Sequence, residues 1–373
     1  MISQVIGALA LIAATDPTPA PMASPWKVDS NRISVPAAKV SLPRQAGSLI
    51  FESADEFSHK GSGIDNVAQY ESSDHRVYGT VFIYRPGYPD AALTAWETDS
   101  VLHQGYGAAM KTISTGVADS NGHPGTVIRM LYDGGSNPRA DGGAILASAA
   151  GILRVSGWIV KLRVNGPTAR QAEVVAALDA LIAGLRFDSG VKVYPATPLR
   201  IAAPCPAADV PARLLPQLKG NKDSSARVLG AAISSAAATL DATEKDKANG
   251  LDPNFPDNGL QPVCLRGTFD LNGASVPLFQ LAGTTDPGMV IGIMSNAGST
   301  IQIEKAFVGG GYVIKTAKLG EVDIFGAFDA IPSTSQLGAL YSGNAREGGT
   351  RQARIVLKAA GGSDIEIDPD VLK

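Results

Sequence analysis

The four histidines are the residues of this sequence best suited to acid–base or metal chemistry. They are His59, His75, His103 and His123, all in the first third of the chain. None stands at the four-residue helical spacing or the short paired spacing typical of zinc sites. The sequence therefore predicts histidines at the surface, in turns or near a helix end, and it predicts no metal site.

Two neighbouring pairs, Ser58–His59 and Asp74–His75, combine residue types that occur in hydrolase triads. Adjacent residues of an extended segment point to opposite faces, so neither pair easily forms a catalytic hydrogen bond. No serine lies in a G-x-S-x-G nucleophile turn. The catalytic residues, if the protein has any, stay unknown at this point, and a site assembled from distant residues stays open.

The stretch Asp252–Gly259 (DPNFPDNG) resembles a calcium-binding loop at first sight. An EF-hand loop needs an oxygen ligand at its fifth position, glycine at its sixth and glutamate at its twelfth. Those places hold Pro256, Asp257 and Val263. The pattern indicates a proline-rich turn.

Two glycine clusters, Gly134–Gly143 and Gly309–Gly311, could be mistaken for phosphate-binding loops. Neither has the G-x-x-x-x-G-K-[ST] spacing, and neither precedes an amphipathic helix. Both are typical of hairpin turns, so the sequence predicts no cofactor. Arg139 in the first cluster leaves open a contact with an anionic partner.

The two cysteines, Cys205 and Cys264, suit a disulfide if the protein is exported to an oxidising compartment. A bridge would close a loop of about 60 residues and contribute roughly 4 kcal/mol on a chain-entropy argument. The alternative is two buried thiols. We expect the disulfide.

The N-terminus supports export. Val5–Ala14 is an apolar run that is too short to span a bilayer and is followed at once by Asp16 and several prolines. Such a run fits the central part of a signal peptide, although no Lys or Arg precedes it. We expect residues 1–20 to be a signal peptide and the mature protein to be periplasmic or secreted, without an integral membrane segment.

Composition excludes some partners. Hydrophobic residues make up 45% of the chain and charged residues 18%, as in folded globular proteins, and the formal net charge is -3. There is no basic stripe of the kind that binds nucleic acid. We therefore expect a partner protein or a small-molecule ligand and no nucleic acid.

The clearest structural pattern runs from Gly157 to Asp188. Alternating residues predict a strand over its first part, and Pro167 then suits the first position of a helix. Apolar residues at three- and four-residue steps predict the helix itself. Lys161 and Arg163 share a strand face with Ile159, so that face is not wholly buried unless the charged ends reach its rim.

The order of predicted elements divides the chain. We expect a linker over residues 21–32, an N-terminal domain over 33–189, a proline-rich linker over 190–211 and a C-terminal domain over 212–373. The expected fold class is α+β, with helices packed on an antiparallel sheet in each domain. A helix over about 90–104 and another over 224–248 are part of this prediction.

The leader, the lack of a lipid anchor and the terminal strand–helix with its aromatic end (LRVNGP…LIAGLRF) resemble the Mog1/PsbP-like α/β/α sandwich group. The resemblance covers roughly residues 30–188 and rests on the order of elements. It implies an accessory or binding protein, because members of that group share no catalytic residues.

Together these patterns predict an exported, non-enzymatic envelope protein that binds a partner protein or a small ligand in a cleft between its two domains. Two alternatives stay open. One is a hydrolase whose site forms from distant residues, and the other is a structural scaffold whose second domain docks onto a larger assembly.

Overall fold

The computed structural model describes residues 24–58, 62–136, 145–201, 205, 209–215, 227–232, 262–271, 274–283, 289–295, 299–306, 310–341, 351–359 and 363–368. Strands account for 54% of the structure and helices for 18%. The predicted α+β class is therefore wrong, because the chain is predominantly β and its described part forms three antiparallel sheets with few helices.

The prediction failed on strand length. The sequence indicated short strands near residues 112–114, 125–132 and 143–149, separated by polar and glycine-rich turns. The structure has longer strands there, Lys111–Ser120, His123–Ser136 and Ile145–Val155. Glycine and serine occur inside these strands because the paired neighbours supply the backbone hydrogen bonds that hold the extended conformation.

The first half of the chain forms two sheets and two helices. Its strands are β1 (Lys27–Val28), β2 (Arg32–Val35), β3 (Val40–Pro43), β4 (Gln45–Ala46), β5 (Leu49–Glu56), β6 (Asp65–Ser72), β7 (Tyr78–Tyr84), β8 (Lys111–Ser120), β9 (His123–Ser136), β10 (Ile145–Val155), β11 (Trp158–Pro167) and β12 (Arg186–Phe187). The smaller sheet has the order β1-β2-β3-β12, and the larger has the order β4-β5-β6-β7-β11-β10-β9-β8. Helix α1 (Ala91–Tyr106) follows β7, and α2 (Gln171–Gly184) follows β11 after a 3₁₀ turn at Thr168–Arg170.

The larger sheet carries a helix on each face. Val160 and Leu162 of β11 share a core with Leu178 of α2. Ile159, which points to the other face, shares a core with Leu102 of α1. Because side chains alternate along β11, one set of its residues faces α2 and the other set faces α1.

The second half of the chain forms one eight-stranded sheet in which consecutive strands are neighbours. Its strands are β13 (Val263–Leu271), β14 (Ala274–Leu281), β15 (Met289–Ser295), β16 (Ser299–Lys305), β17 (Tyr312–Lys318), β18 (Glu321–Phe328), β19 (Ala353–Leu357) and β20 (Ser363–Ile367). Helix α3 (Thr334–Tyr341) packs its fully buried Leu337 into a core with Phe269 and Phe328. Of the helix predicted over 224–248, the described residues 227–232 are helical and the rest lies outside the described part.

The two halves of the chain contact each other directly. Pro86 pairs with Leu319 in an isolated antiparallel bridge, and the Gly87 amide donates a hydrogen bond of 3.0 Å to the carbonyl of Lys318. Trp96 of α1 meets Phe279 of β14 edge to face, with ring centroids 5.2 Å apart. The turn between β17 and β18 therefore lies against the end of β7, and β14 lies against α1.

The described residues of the segment predicted as a proline-rich linker contact both large sheets. The Tyr194 amide donates to the carbonyl of Arg154, and the Val263 amide donates to the carbonyl of Arg200. Cys205 and Cys264 form a disulfide, which confirms that prediction and joins this segment to β13. Among the described residues, no helix is long and apolar enough to cross a bilayer.

Candidate functional site

A cavity of about 460 Å³ lies between α1 and the sheet. This volume falls within the range of small-molecule binding sites. Strands β6, β7 and β11 form its floor, α1 forms one wall, and the turn between β17 and β18 contributes one residue from the second half of the chain. The lining residues are Phe57, Asp65, Val67, Gln69, Phe82, Tyr84, Thr98, Val101, Leu102, Lys161, Arg163 and Leu319.

Because side chains alternate between the two faces of a strand, only every second residue of β6, β7 and β11 faces the cavity. Lys161 pairs with Phe82 across β11 and β7, and Phe82 pairs with Val67 across β7 and β6. Side chains directly opposite each other in a sheet point to the same face. A row of three residues therefore crosses the floor, and Arg163 stands two positions along β11 on the same face.

Helix α1 covers this floor because its first turn is fixed by a buried cap. The Asp90 carboxylate accepts hydrogen bonds from the amides of Ala92 and Leu93, as expected of an N-cap residue. The helix then places Thr98, Val101 and Leu102 over the cavity. Glu97, one residue before Thr98, is only 5% exposed.

Lys161 and Glu97 form the ionisable centre of the site. The Lys161 ammonium lies 4.8 Å from the centre of the Phe82 ring and 5.9 Å from that of Tyr84. Burial lowers the pKa of Lys161, against the opposing effect of the Glu97 carboxylate. Burial also raises the pKa of Glu97 to about 8, although the charge of Lys161 acts in the other direction. Glu97 is therefore largely protonated at neutral pH.

The two acidic side chains that act electrostatically on Lys161 are Glu97 and Asp65. The Oε1 atom of Glu97 is buried and has no hydrogen-bond partner among the described residues. Burial also raises the pKa of Asp65, which lines the cavity, and the neighbouring Glu56 adds to that effect. Both acids are thus held in surroundings that disfavour their charged forms.

Arg163 has neutral hydrogen-bond partners. Its guanidinium donates to the hydroxyl of Tyr106 and, over 3.3 Å, to Oδ1 of Asn165, and it lies 5.1 Å from the centre of the Tyr106 ring. Burial lowers the pKa of Arg163, but an arginine stays charged at neutral pH. No carboxylate of the described chain pairs with it, so the site has an excess of positive charge near Arg163.

The predicted pair Asp74–His75 does not come together as a catalytic unit. His75 lies 2.7 Å from a carboxylate oxygen of Glu71 on the protein surface, and the hydrogen bond to Glu71 raises the pKa of His75. Asp74 instead accepts hydrogen bonds from Ser72 and Arg170. His59, the partner of Ser58 in the other pair, lies outside the described residues.

His103 has neighbours of the types found in a triad. Its Nδ1 atom lies 3.7 Å from Oδ2 of Asp99, and its Nε2 atom lies 3.5 Å from the hydroxyl of Thr112. The Thr112 hydroxyl, however, donates to Asp99 over 3.0 Å, so its proton points to the acid and away from the imidazole. A general base has to accept that proton, and this arrangement therefore does not activate Thr112.

The remaining predicted sites stand as follows. The rings of His123 and Phe187 meet edge to face, with their centroids 5.2 Å apart. Within the part of the chain that the structure describes, no three His, Cys, Asp or Glu residues are grouped to hold a metal ion. Gly310 and Gly311 have positive φ angles in the turn between β16 and β17. The stretch Asp252–Gly259 and Arg139 lie outside the described residues.

Sequence reasoning singled out Lys161 and Arg163 but did not predict their role. It placed their charged ends at the rim of a partly buried face, whereas the structure places them on the floor of a cavity under α1. The available signal was a pair of cations at alternate positions of an otherwise apolar strand. Glu97 was missed because one acid inside an amphipathic helix carries no distinguishing spacing.

No family model matches this sequence, and no curated protein matches it. Among solved structures, a crystal structure at 1.50 Å resolution of a protein from Bacteroides thetaiotaomicron VPI-5482 is similar to this chain. The two are 11% identical, and the match covers 68% of this chain and 87% of that chain with a TM-score of 0.26. A similarity at this level supports no conclusion about the fold or the function of this chain.

Proposed function

We propose that this chain is an exported, non-enzymatic binding protein whose cavity under α1 holds a small organic molecule with an apolar body and one acidic group. The observation that carries the proposal is the position of Arg163. Its guanidinium lines the cavity, and its hydrogen-bond partners in the protein, Tyr106 and Asn165, are neutral. An acidic group on the ligand would supply the missing negative charge.

The rest of the lining supports an apolar ligand body. Seven of the twelve lining side chains are aliphatic or aromatic, and the polar ones stand mainly along β6 and β11. Binding sites for small molecules commonly combine an apolar wall with a few polar groups that fix orientation. Leu319, from the second half of the chain, contributes to the apolar wall. The cavity itself lies in the first half of the chain, and among the described residues Leu319 is its one lining residue from the second half.

Export to the periplasm or the exterior is part of the proposal. The Cys205–Cys264 disulfide supports it, because disulfides persist mainly in oxidising compartments. The apolar run Val5–Ala14 supports it independently, as a segment of signal-peptide type. Fractionation, with mass measurement of the mature N-terminus, tests it, and intact Met1 in the cytoplasm would contradict it.

The binding proposal is tested with three probes that share one apolar body and differ in the charge of the head group. Octanoate, octan-1-ol and octylammonium are titrated into the full-length protein by calorimetry. A charge-assisted hydrogen bond contributes roughly 1.5–3 kcal/mol, so we expect octanoate to bind about 10- to 100-fold more tightly than the alcohol. Octylammonium should bind most weakly.

A matched pair of variants locates the effect. Arg163→Met should abolish the preference for octanoate over octan-1-ol, since it removes the charge and keeps much of the side-chain length. Arg186→Met is the control, because Arg186 is exposed on β12 and does not line the cavity. Equal affinities for the three probes, or an unchanged preference in Arg163→Met, would contradict the proposal.

A further inference from the structure

We propose that Lys161 binds carbonyl-bearing ligands covalently, as an imine, and that the ligand class of this cavity is an oxo acid whose carboxylate lies on Arg163. This inference rests on the proposed function and deepens it, since it names the second functional group of the ligand. It adds a reversible covalent bond to a site that otherwise holds its ligand through charge and apolar contact.

The spacing of the two cations sets the ligand geometry. Lys161 and Arg163 are two positions apart on β11 and both line the cavity. Alternate residues of a strand point to the same face and stand about 7 Å apart. A short carbon chain between a carboxylate and a carbonyl group spans such a distance once the flexible lysine side chain reaches toward it.

The surroundings of Lys161 favour the nucleophilic form of its amine. The Nζ atom lies over the rings of Phe82 and Tyr84, in a cavity with a mostly apolar wall. An amine must lose its proton before it attacks a carbonyl carbon, and lysines that form imines are activated by desolvation or by a neighbouring cation. Burial lowers the pKa of Lys161, and the charge of Arg163 lowers it further, while Glu97 and Asp65 oppose both.

Glu97, which acts electrostatically on Lys161 and directly precedes the cavity-lining Thr98 on α1, can supply the proton that the condensation needs. The neutral amine of Lys161 attacks the carbonyl carbon and forms a C–N bond, and the π electron pair moves to the oxygen. After the amine proton has passed to that oxygen, the protonated Glu97 carboxyl donates a second proton and the C–O bond breaks. The products are the protonated imine, the Glu97 carboxylate and one water molecule, so a carbonyl, an amine and an acid account for every atom and charge.

A purely structural ion pair between Lys161 and Glu97 explains their arrangement less well than a role in ligand binding does. Structural pairs in protein interiors require good geometry and further hydrogen bonds to their remaining polar atoms. The Oε1 atom of Glu97 has no such partner among the described residues, although the residue is 95% buried. A carboxyl group held mainly in its protonated form, beside an amine and a cavity, fits proton donation.

The test uses 4-oxobutanoate as the probe and sodium cyanoborohydride to reduce any imine to a stable secondary amine. Full-length protein is treated with a limiting amount of probe at neutral pH, digested, and mapped by mass spectrometry. Exposed Lys39 serves as the internal reference within the same digest. We expect Lys161 to be modified at least tenfold more than Lys39, and excess octanoate to suppress modification of Lys161 alone.

Two variants separate the chemistry from the fold. Lys161→Arg keeps the positive charge but has no nucleophilic amine, so modification at position 161 should be lost while that of exposed Lys39 is unchanged. Glu97→Gln keeps the shape but has no acidic proton, so modification of Lys161 should slow at least tenfold while that of Lys39 is unchanged. Modification spread evenly over the lysines, with octanoate binding intact, overturns the imine and leaves the proposed function standing. Absence of both octanoate binding and selective modification overturns the proposed function as well.

Discussion

Replacing Glu97 with glutamine should remove a pH dependence of folding stability that runs opposite to that of most acidic side chains. Burial raises the pKa of Glu97 from 4.5 to about 8 in the folded protein. Between these pH values the folded chain keeps a proton that the unfolded chain has released. The free energy of unfolding therefore falls as the pH rises through this interval, since stability falls wherever the folded state binds more protons.

The size of the change in the free energy of unfolding follows from the difference between the two pKa values of Glu97. Each pH unit corresponds to about 1.4 kcal/mol, so the full interval from 4.5 to about 8 gives a loss of roughly 5 kcal/mol. This figure is an upper bound, because burial lowers the pKa of Lys161 and its titration adds stability as the pH rises toward the ordinary lysine value. Glu97 is only 5% exposed, so solvent screens the effect little.

The assay is urea unfolding followed by circular dichroism at several pH values from 5 to 8.5. Glu97→Gln resembles the protonated acid and does not titrate, so we expect it to match the wild type near pH 5 and to exceed it by several kcal/mol near pH 8.5. Ionisable groups far from position 97 contribute equally to both proteins and cancel in the difference. Glu52→Gln, at an exposed position of β5, is the control and should follow the wild type throughout. Parallel curves for Glu97→Gln and the wild type would refute the reasoning.

Two further changes test how the halves of the chain are held together. Gly87→Ala should lower the free energy of unfolding by roughly 1–3 kcal/mol, because the new Cβ would lie 2.6 Å from Cβ of Ala317 across the contact between the halves. Gly105→Ala, where a Cβ meets no atom within 4 Å in α1, is its control and should be neutral or stabilising by up to about 1 kcal/mol, as measured by urea unfolding. Replacing both Cys205 and Cys264 with alanine should cost roughly 4 kcal/mol, because the disulfide spans 59 residues of sequence. Unfolding of both proteins under non-reducing conditions checks this, and equal midpoints would contradict it.

Secondary structure was predicted best where one hydrophobic periodicity, that of a strand or that of a helix, continues over many residues. The strand–turn–helix over Gly157–Asp188 corresponds to β11, a 3₁₀ turn and α2, and the helix predicted over 90–104 corresponds to α1. The prediction for Pro167 was wrong, since this residue ends β11 with φ -58° and ψ 143° and precedes the 3₁₀ turn. Proline is compatible with both places, because neither requires its missing amide proton.

The fold class was wrong for a different reason. A strand in the interior of a sheet is stabilised by both neighbours, so residues of low strand propensity are tolerated there. Gly151, for example, lies in the middle of β10 between Leu162 of β11 and Arg129 of β9. Local composition predicted interruptions at such places, and pairing between residues far apart in sequence removed them.

The cavity could not be predicted because its residues come from segments far apart in the chain. Asp65, Thr98 and Lys161 stand on β6, α1 and β11, and the order in which these elements meet depends on the sheet topology. Leu319 comes from the other half of the chain through the bridge to Pro86. Alternation along β11 could place Lys161 and Arg163 on one face, but not show that a helix covers that face.

The two cations on β11 are the feature that a purely structural account explains least. Apolar side chains at Lys161 and Arg163 would pack under α1 without a desolvation cost, and replacing buried charges by well-packed apolar residues is often neutral or stabilising. This chain instead carries two desolvated cations on the floor of a cavity of about 460 Å³ and sets a largely protonated acid, Glu97, beside one of them. A ligand that brings a negative charge to Arg163 and a carbonyl group to Lys161 would compensate both costs at once. The acidic carbonyl compound that we propose as the ligand would thus account for both the desolvation of these side chains and the open volume above them.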